Sequence, residues 1–294
     1  MGWPWRGLAR AAAEGCFPAR VIENRENVGF GRAVNQAAAE SSAPFLAVLN
    51  DDAEASPGWI EALLEAAGND PETGMWASKV LLAGEDRLDS AGMLICADGS
   101  SKQRGHGEPP GKYCRLEEVL LPSGSAAMYR RGMLEEIGLF DEDFFLYCED
   151  TDLGLRARRA GWRCMYVPDA VVEHAYSGSA GRASPLKAYY VERNRLFVAV
   201  KNFPAGGLLA APLVSLARYF WHVLHLARGR GAAADFRRGG HSAARLVWYV
   251  WRAHLALLAA LPRLLAQRAA IRRGAKLTAA EFRALLGRDR KSVV

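Results

Sequence analysis

Two places in the chain gather carboxylates where they could act on a substrate. Asp51 and Asp52 follow Pro44 to Leu49, an apolar run of the kind that forms a fully buried parallel strand. Adjacent acids at the carboxyl end of such a strand sit where open α/β sheets bind ligands. Their hard oxygens suit Mg2+ or Mn2+, and either ion can neutralise a diphosphate. A solvated turn with an N-capping aspartate accounts for Asn50-Asp51-Asp52 as well, so the pair decides nothing by itself.

The second place holds Glu149, Asp150 and Asp152, in the first turn of a helix that follows the aromatic run Phe144-Phe145-Leu146-Tyr147. The helix dipole favours acids there, which is reason enough for one of them. Three so close repel each other, and an apolar shoulder tends to raise the pKa of one. A general base working near neutral pH is made in that way. His174 stands alone in Val171-Val172-Glu173-His174, and a lone histidine is more often a satisfied structural residue than a ligand.

The elements that must position these groups alternate in type. A short helix is expected from Gly7 to Gly15, then a strand over Ala19–Glu23 and turn chemistry at Asn27-Val28-Gly29-Phe30-Gly31. Helices follow over Arg32–Ser41 and Trp59–Ala67, the second with Ser56 as cap and Pro57 at its first position. Strands are expected at Met75–Leu81, Val119–Leu121, Ala126–Tyr129 and Arg163–Val167. Helical segments fall at Met133–Ile137 and Asp150–Ala160. Leu82 to Glu117 is polar and rich in Gly and Pro, as befits excursions around a site. Strands alternating with helices define an α/β layered domain with a mostly parallel sheet over residues 1–203.

Residues 204–294 change texture to Leu, Ala, Arg and Trp at helical spacing, with only Asp235, Glu281 and Asp289 as acids. Arg245, Arg252 and Arg263 fall within about 20° of one another on a helical wheel, flanked by His241 and Gln267. Arg218, His222 and His225 make a similar stripe on the helix before. Neither helix offers the ~20 charge-free residues of a membrane span. A wide apolar face with Arg and Trp at its margins fits a helix lying on an anionic membrane surface. Packing of a helical hairpin on the α/β domain fits too. A nucleic-acid partner is not expected, because the arginines form one narrow stripe without interleaved exposed aromatics.

The five cysteines are scattered, without a C-x-x-C pair, which excludes a zinc ribbon or a disulfide scaffold and points to a reducing compartment. Residues 1–15 carry no apolar signal-peptide core, so a cytoplasmic location is expected.

In this order, the motifs resemble the bacterial family 2 glycosyltransferases of GT-A (Rossmann-like) fold, in their rhamnosyltransferase-like and galactofuranosyltransferase-like branch. The resemblance runs from about Arg20 to Asn202. Asn27-Val28-Gly29-Phe30-Gly31 to Asn35, Leu49-Asn50-Asp51-Asp52 with Pro57-Gly58-Trp59, Leu88-Asp89-Ser90-Ala91-Gly92, and Ser123-Gly124-Ser125 with Arg130-Arg131 carry it. So do Gly138 to Arg156, the most specific stretch, and Arg193-Asn194-Arg195. It implies that Asp51 and Asp52 hold the cation and the donor diphosphate, that His174 is a third metal ligand, and that Asp150 deprotonates the acceptor hydroxyl. It also places Asn27, Gly29, Asn35 and Ser125 at the donor or acceptor, with Glu149 and Asp152 holding acceptor hydroxyls or tuning Asp150, and Trp59 or Trp162 stacking on a ring. The expected partners are a nucleotide-diphosphate sugar and a glycan or lipid-linked acceptor at the inner face of the cell membrane. Relatives open with an apolar strand and a D-N-x-S-x-D turn, of which nothing precedes Gly7. The resemblance therefore implies a GT-A domain lacking its first strand, either an inverting transferase or a non-catalytic relic or partner subunit of the same fold.

Overall fold

The computed structural model describes residues 20–68, 70–175 and 184–288. The helix expected at Gly7–Gly15 lies outside them. Residues 20–23, expected as a strand, run without regular structure.

The elements in chain order are α1 (Phe30–Ala39), β1 (Phe45–Leu49), β2 (Ala53–Ala55), α2 (Trp59–Ala67), β3 (Thr73–Leu82), β4 (Leu88–Ser90), β5 (Met93–Ile95) and β6 (Ser101–Gln103). They continue with β7 (Glu117–Glu118), β8 (Ala126–Arg130), α3 (Arg131–Ile137), α4 (Glu149–Arg159), β9 (Arg163–His174) and α5 (Pro185–Asn202). The remainder is helical: α6 (Ala205–Ala227), α7 (Ala232–Arg238), α8 (Ala243–Arg273) and α9 (Ala279–Arg288). The helix over Trp59–Ala67 is as expected, but Gly58 in a left-handed conformation caps it, one residue after Pro57.

The central sheet runs β1-β8-β3-β9-β2, with β4 on β3 and β7 on β9. The α/β class stands, but the expectation of a mostly parallel sheet is corrected. Among the described residues only β3–β9 is parallel, and β1–β8, β3–β8, β2–β9, β3–β4 and β7–β9 are antiparallel. Nor is β1 fully buried. It ends the described sheet order, and of its residues only Val48 is buried, because one edge and one face see less cover.

Alternation along β3 divides the core. Met75 and Ala77 pack with Tyr129, Met133, Leu153 and Tyr166 beneath α3 and α4, while Trp76 and Val80 pack with Trp59, Leu63 and Met128 beneath α2. Apolar groups are thereby withdrawn from water on both faces, the main source of stability here. Strand β9 does not stop before Pro168. Its register against β3 slips between Ser78 and Lys79, opposite Val167 and Val171. A proline has no N–H to give the ladder, so the chain bulges at 168–170 and resumes. The resumed stretch ends at His174, opposite Leu82 on one side and Ala53 on the other. That bulge is what carries the histidine to the carboxyl end of β1.

A third cluster forms where α5, α8 and α9 meet α4, with Phe144, Leu155, Phe197, Leu264 and Phe282 at its centre.

Candidate active site

His174 is the centre of a chain of carboxylates. Its Nε2 lies 3.1 Å from Asp52 Oδ1, and its Nδ1 lies 2.8 Å from Asp89 Oδ2. Asp89 is fully buried on β4, where Gln103 Nε2 donates to its Oδ1 at 3.3 Å and His106 Nδ1 stands 3.2 Å from the same oxygen. Burial opposes a charge on His174, but the bonds to Asp89 and Asp52 outweigh it and hold the imidazole above its usual pKa. Backbone bonds fix the strand end: the Ala175 N–H donates to the Asp52 carbonyl at 2.8 Å. Asp51, the other half of the expected pair, is exposed. Among the described residues no three His, Cys, Asp or Glu side chains converge as a preformed metal cage.

A second site is built at the start of α4. One oxygen of Asp150 accepts the Gly124 N–H at 2.8 Å, and the other accepts the Thr151 N–H at 2.6 Å. Burial nevertheless raises the Asp150 pKa, outweighing these bonds. Glu149 beside it is more deeply buried, and its Oε2 finds no hydrogen-bond partner among the described residues. Burial first, and then the neighbouring charge of Asp150, push its pKa well above the carboxylate range.

The turn Ser123-Gly124-Ser125 ties the two acidic sites together. Gly124 donates to Asp150, and the next residue, Ser125, accepts the Asn50 N–H at 2.9 Å on its carbonyl. A Cβ on Gly124 would stand 3.2 Å from the Asp150 carboxylate. The Ser125 hydroxyl is turned to Ser123 Oγ at 2.9 Å. Its contribution here is the backbone link.

The segment leading into α4 is strained. Phe145, Tyr147 and Cys148 all have φ between 63° and 69°, the left-handed region that non-glycine residues avoid. Such outliers persist only where their surroundings over-determine them, and they cluster at functional sites. The restraints are explicit. Asn194 on α5 points its Nδ2 at the carbonyls of Phe144 (2.9 Å), Leu146 (2.8 Å) and Tyr147 (2.7 Å). Arg193 Nη2 adds bonds to the carbonyls of Asp143 and Phe144. From the other side Phe30 N–H donates to the Phe145 carbonyl at 2.9 Å, and a Cβ on Gly29 would lie 2.3 Å from that oxygen.

Several expected binding residues have structural partners in the fold. Asn27 closes a small turn by accepting the Gly29 N–H at 2.9 Å, and Asn35 exchanges two bonds with the backbone of Phe140. Asn35 thereby holds α1 against the start of the 140–145 segment. Asp152 is completely buried and occupied by Arg156 (2.9 Å), Lys201 (2.9 Å) and Asn202 (2.8 Å). Burial works against its charge, yet Lys201 and Arg156 keep its carboxyl below the usual range. That network leaves it no vacancy for an acceptor hydroxyl. Trp59, the first residue of α2, is likewise buried against the sheet, its ring N–H given to Ser78 Oγ at 2.8 Å. Asp89 and Asn194 were visible in sequence only as parts of L-D-S-A-G and R-N-R. Nothing in their spacing assigned the jobs they perform.

Taken together, an α/β sheet with an acid–histidine chain at one strand end and a partly buried carboxylate across a shared turn defines a group-transfer enzyme site. The chain belongs to the family 2 glycosyltransferases: the sequence model of glycosyl transferase family 2 matches residues 6–138, and that of glycosyl transferase family group 2 matches residues 112–265. The N-acetylglucosaminyl-diphospho-decaprenol L-rhamnosyltransferase of Mycobacterium tuberculosis (strain CDC 1551 / Oshkosh) is 32% identical over 232 residues, 70% of this chain and 74% of the relative. The O-antigen biosynthesis protein RfbC of Myxococcus xanthus is 29% identical over 156 residues, 49% of this chain and 12% of its own. Among solved structures, a mannosyltransferase of Pyrobaculum calidifontis in complex with GDP-Man and Mn2+ aligns with TM-score 0.47 and 18% identity, over 92% of this chain and 72% of that one. GalNAc-T7 with UDP, GalNAc and Mn2+ aligns with TM-score 0.47 and 14% identity, over 62% and 36%. The protein is a glycosyltransferase.

Proposed function

We propose that the enzyme transfers a rhamnosyl or related hexosyl group from a nucleoside-diphosphate donor to a lipid-linked glycan of a cell-surface polysaccharide, with inversion at the anomeric carbon. The supporting observation is the Ser123–Ser125 turn, which joins a basic carboxylate at Asp150 to the acid–histidine chain below Asp52. Inverting transfer is one in-line displacement and needs those two functions on opposite sides of the sugar. Asp150 accepts the acceptor hydroxyl proton as that oxygen bonds to the anomeric carbon and the nucleoside diphosphate departs. The Gly124 and Thr151 amides fix the carboxylate, and its burial raises it toward neutral pH, where a base works best. Burial of Glu149 beside it, with Oε2 unpartnered among the described residues, disfavours a second charge there. The strained segment held by Asn194 and Arg193 sets where α4 begins and thus where Asp150 points.

The residues fit a divalent cation. Asp52 Oδ1 and His174 Nε2 stand 3.1 Å apart, and the far ring nitrogen lies 2.8 Å from Asp89, the outer arrangement that metal-binding histidines show. Two protein ligands leave room for water and phosphate oxygens, as Mg2+ and Mn2+ require. Asp52 and His174 would hold the ion, with exposed Asp51 facing the incoming donor, and the ion would supply Lewis acidity to the leaving diphosphate. A rhamnosyl donor and a lipid-diphosphate acceptor are favoured because the Mycobacterium tuberculosis relative is named for both. An acceptor of that kind puts the enzyme at the inner face of the cell membrane.

The test is transfer by the purified chain. With Mn2+ or Mg2+, nucleoside-diphosphate rhamnose and an N-acetylglucosaminyl diphospho-polyprenol, a rhamnosylated lipid of inverted anomeric configuration is expected. Retained configuration refutes the displacement. Absence of both transfer and binding of uridine or thymidine diphosphate at millimolar concentration supports the non-catalytic reading instead.

A further inference from the structure

The helices after α5 are amphipathic in the reverse sense to those of a protein surrounded by water. On α6 the side that meets the α/β domain is polar. Ser215 Oγ lies 3.0 Å from Arg195 Nη1, Arg218 pairs with Asp98 at 2.8 Å, and the Tyr219 hydroxyl bonds to Glu192. The opposite side shows Leu209 (80% exposed), Leu213 and Phe220 (64%) to solvent. On α8 the arginine stripe seen in the sequence also turns inward in part: Arg263 pairs with Asp143, and Gln267 donates to Asp141 at 3.0 Å. Its outer side carries Trp248 (55%) and Trp251 (59%), stacked on each other at 6.2 Å, and Leu258. The rings of Tyr219 on α6 and His254 on α8 lie 6.5 Å apart, centroid to centroid.

Large apolar side chains grouped on the outward side of each helix mark a site that another apolar phase covers. Charge says which phase. The segment from Pro204 on holds fourteen arginines and two lysines against three acids. Arg228, Arg230 and Arg237, exposed at the turn between α6 and α8, have only Asp235 near them in sequence, and Asp235 is already paired with Arg238. Cations at the rim of an aromatic and aliphatic face suit an anionic lipid surface, with tryptophan at the headgroup level.

We propose that α6 and α8 lie flat in the interface of an anionic phospholipid bilayer, apolar faces down and the arginine turn on the headgroups. Helix α6 is long and apolar enough to span a membrane, with mean hydropathy 1.3 over its best window, contrary to the expectation that neither helix qualifies. Its length does not make it a span here. Ser215, Arg218 and Tyr219 tie its midpoint to the catalytic domain, and a helix crossing the bilayer would have to drag Arg218, Asp98, Glu192 and Arg195 into hydrocarbon. Flat binding leaves those pairs in place.

Co-sedimentation of the full chain with sealed vesicles of phosphatidylcholine alone, or with about 30% phosphatidylglycerol, tests this independently of turnover, so its outcome stands whether or not the sugar-transfer reading does. Binding to the anionic vesicles is expected to exceed that to the neutral ones at least about tenfold and to weaken with salt, since each interfacial arginine near the surface contributes about fivefold. Trp248→Glu/Trp251→Glu and Arg228→Ser/Arg230→Ser/Arg237→Ser change exposed side chains, so their circular dichroism should match the wild type. Each should lose at least about tenfold in binding. Equal binding to both vesicles, or none, overturns the proposal. Cleavage of the α6–α8 turn only by protease sealed inside the vesicles overturns it in favour of a span. A dimer that the tryptophan variant dissociates, with no vesicle binding, overturns it in favour of a second copy of the chain.

Discussion

Asn194→Ala would remove the amide that holds three carbonyls of the strained segment before Asp150. The amide has two protons and so makes at most two full bonds; Phe144 keeps Arg193 Nη2, while the carbonyls of Leu146 and Tyr147 lose a partner, at about 1–3 kcal/mol each. The left-handed residues Phe145, Tyr147 and Cys148 hold about 1–2 kcal/mol apiece that the clamp keeps from relaxing. A loss of about 3 kcal/mol is expected, or about 6–12 °C in Tm at the 2–4 °C per kcal/mol of larger domains. Thermal melting reads the stability, and steady-state kinetics should show kcat falling at least about tenfold, because α4 and Asp150 start where this segment ends. Asn194→Leu keeps the volume without the donors and should fall as far. A leucine variant within about 2 °C of wild type would show that filled space, not hydrogen bonding, is what Asn194 supplies.

Asp89→Asn should weaken Mn2+ binding about 10–100-fold by calorimetry without the donor present, the usual cost of losing the partner of a metal-bound histidine; unchanged affinity would remove Asp89 from that role. Glu149 has its folded pKa raised, so its burial costs stability that grows as pH rises from the unfolded value of about 4.3 through the folded one. Glu149→Gln should therefore raise Tm at pH 8 and leave it unchanged at pH 4. Asp152 is the opposite case. Its folded pKa is depressed, so its pairing with Lys201 and Arg156 stabilises above about pH 4 and is lost as pH falls through the folded value. Asp152→Asn should cost about 3 kcal/mol at pH 7 in chemical denaturation and progressively less toward pH 3.

Sequence reasoning reached the two acidic centres because both rest on local chemistry: Asp51-Asp52 end an apolar run, and Glu149 to Asp152 open a helix. The partners of Asp152 were not legible in full, because only Arg156 is local, while Lys201 and Asn202 lie some fifty residues away on α5. Three acids in one turn look alike until tertiary surroundings separate them: Asp150 held by the Gly124 and Thr151 amides, Glu149 buried with an unpartnered oxygen, and Asp152 in an ion pair. The extension of β9 past Pro168 was hidden for a similar reason, since a proline usually ends a strand and the parallel neighbour β3 absorbs the slip. Pairing direction in the sheet was also beyond reach, because an apolar strand reads the same in either orientation. The outward apolar faces of α6 and α8 were half visible. The wheel showed the stripes, but only Arg263–Asp143 and Arg218–Asp98 show which side faces the domain.

The central claim, that Asp150 is the base of a sugar transfer, is met most directly by Asp150→Asn measured twice, for transfer and for nucleotide binding. The asparagine keeps the shape and can still accept the Gly124 amide, but it takes no proton. Transfer should fall about 10²–10⁴-fold, with the affinity for nucleoside diphosphate within about twofold of wild type, and the wild-type rate should rise with pH through a value above the ordinary aspartate range. Turnover by Asp150→Asn at the wild-type rate would contradict it.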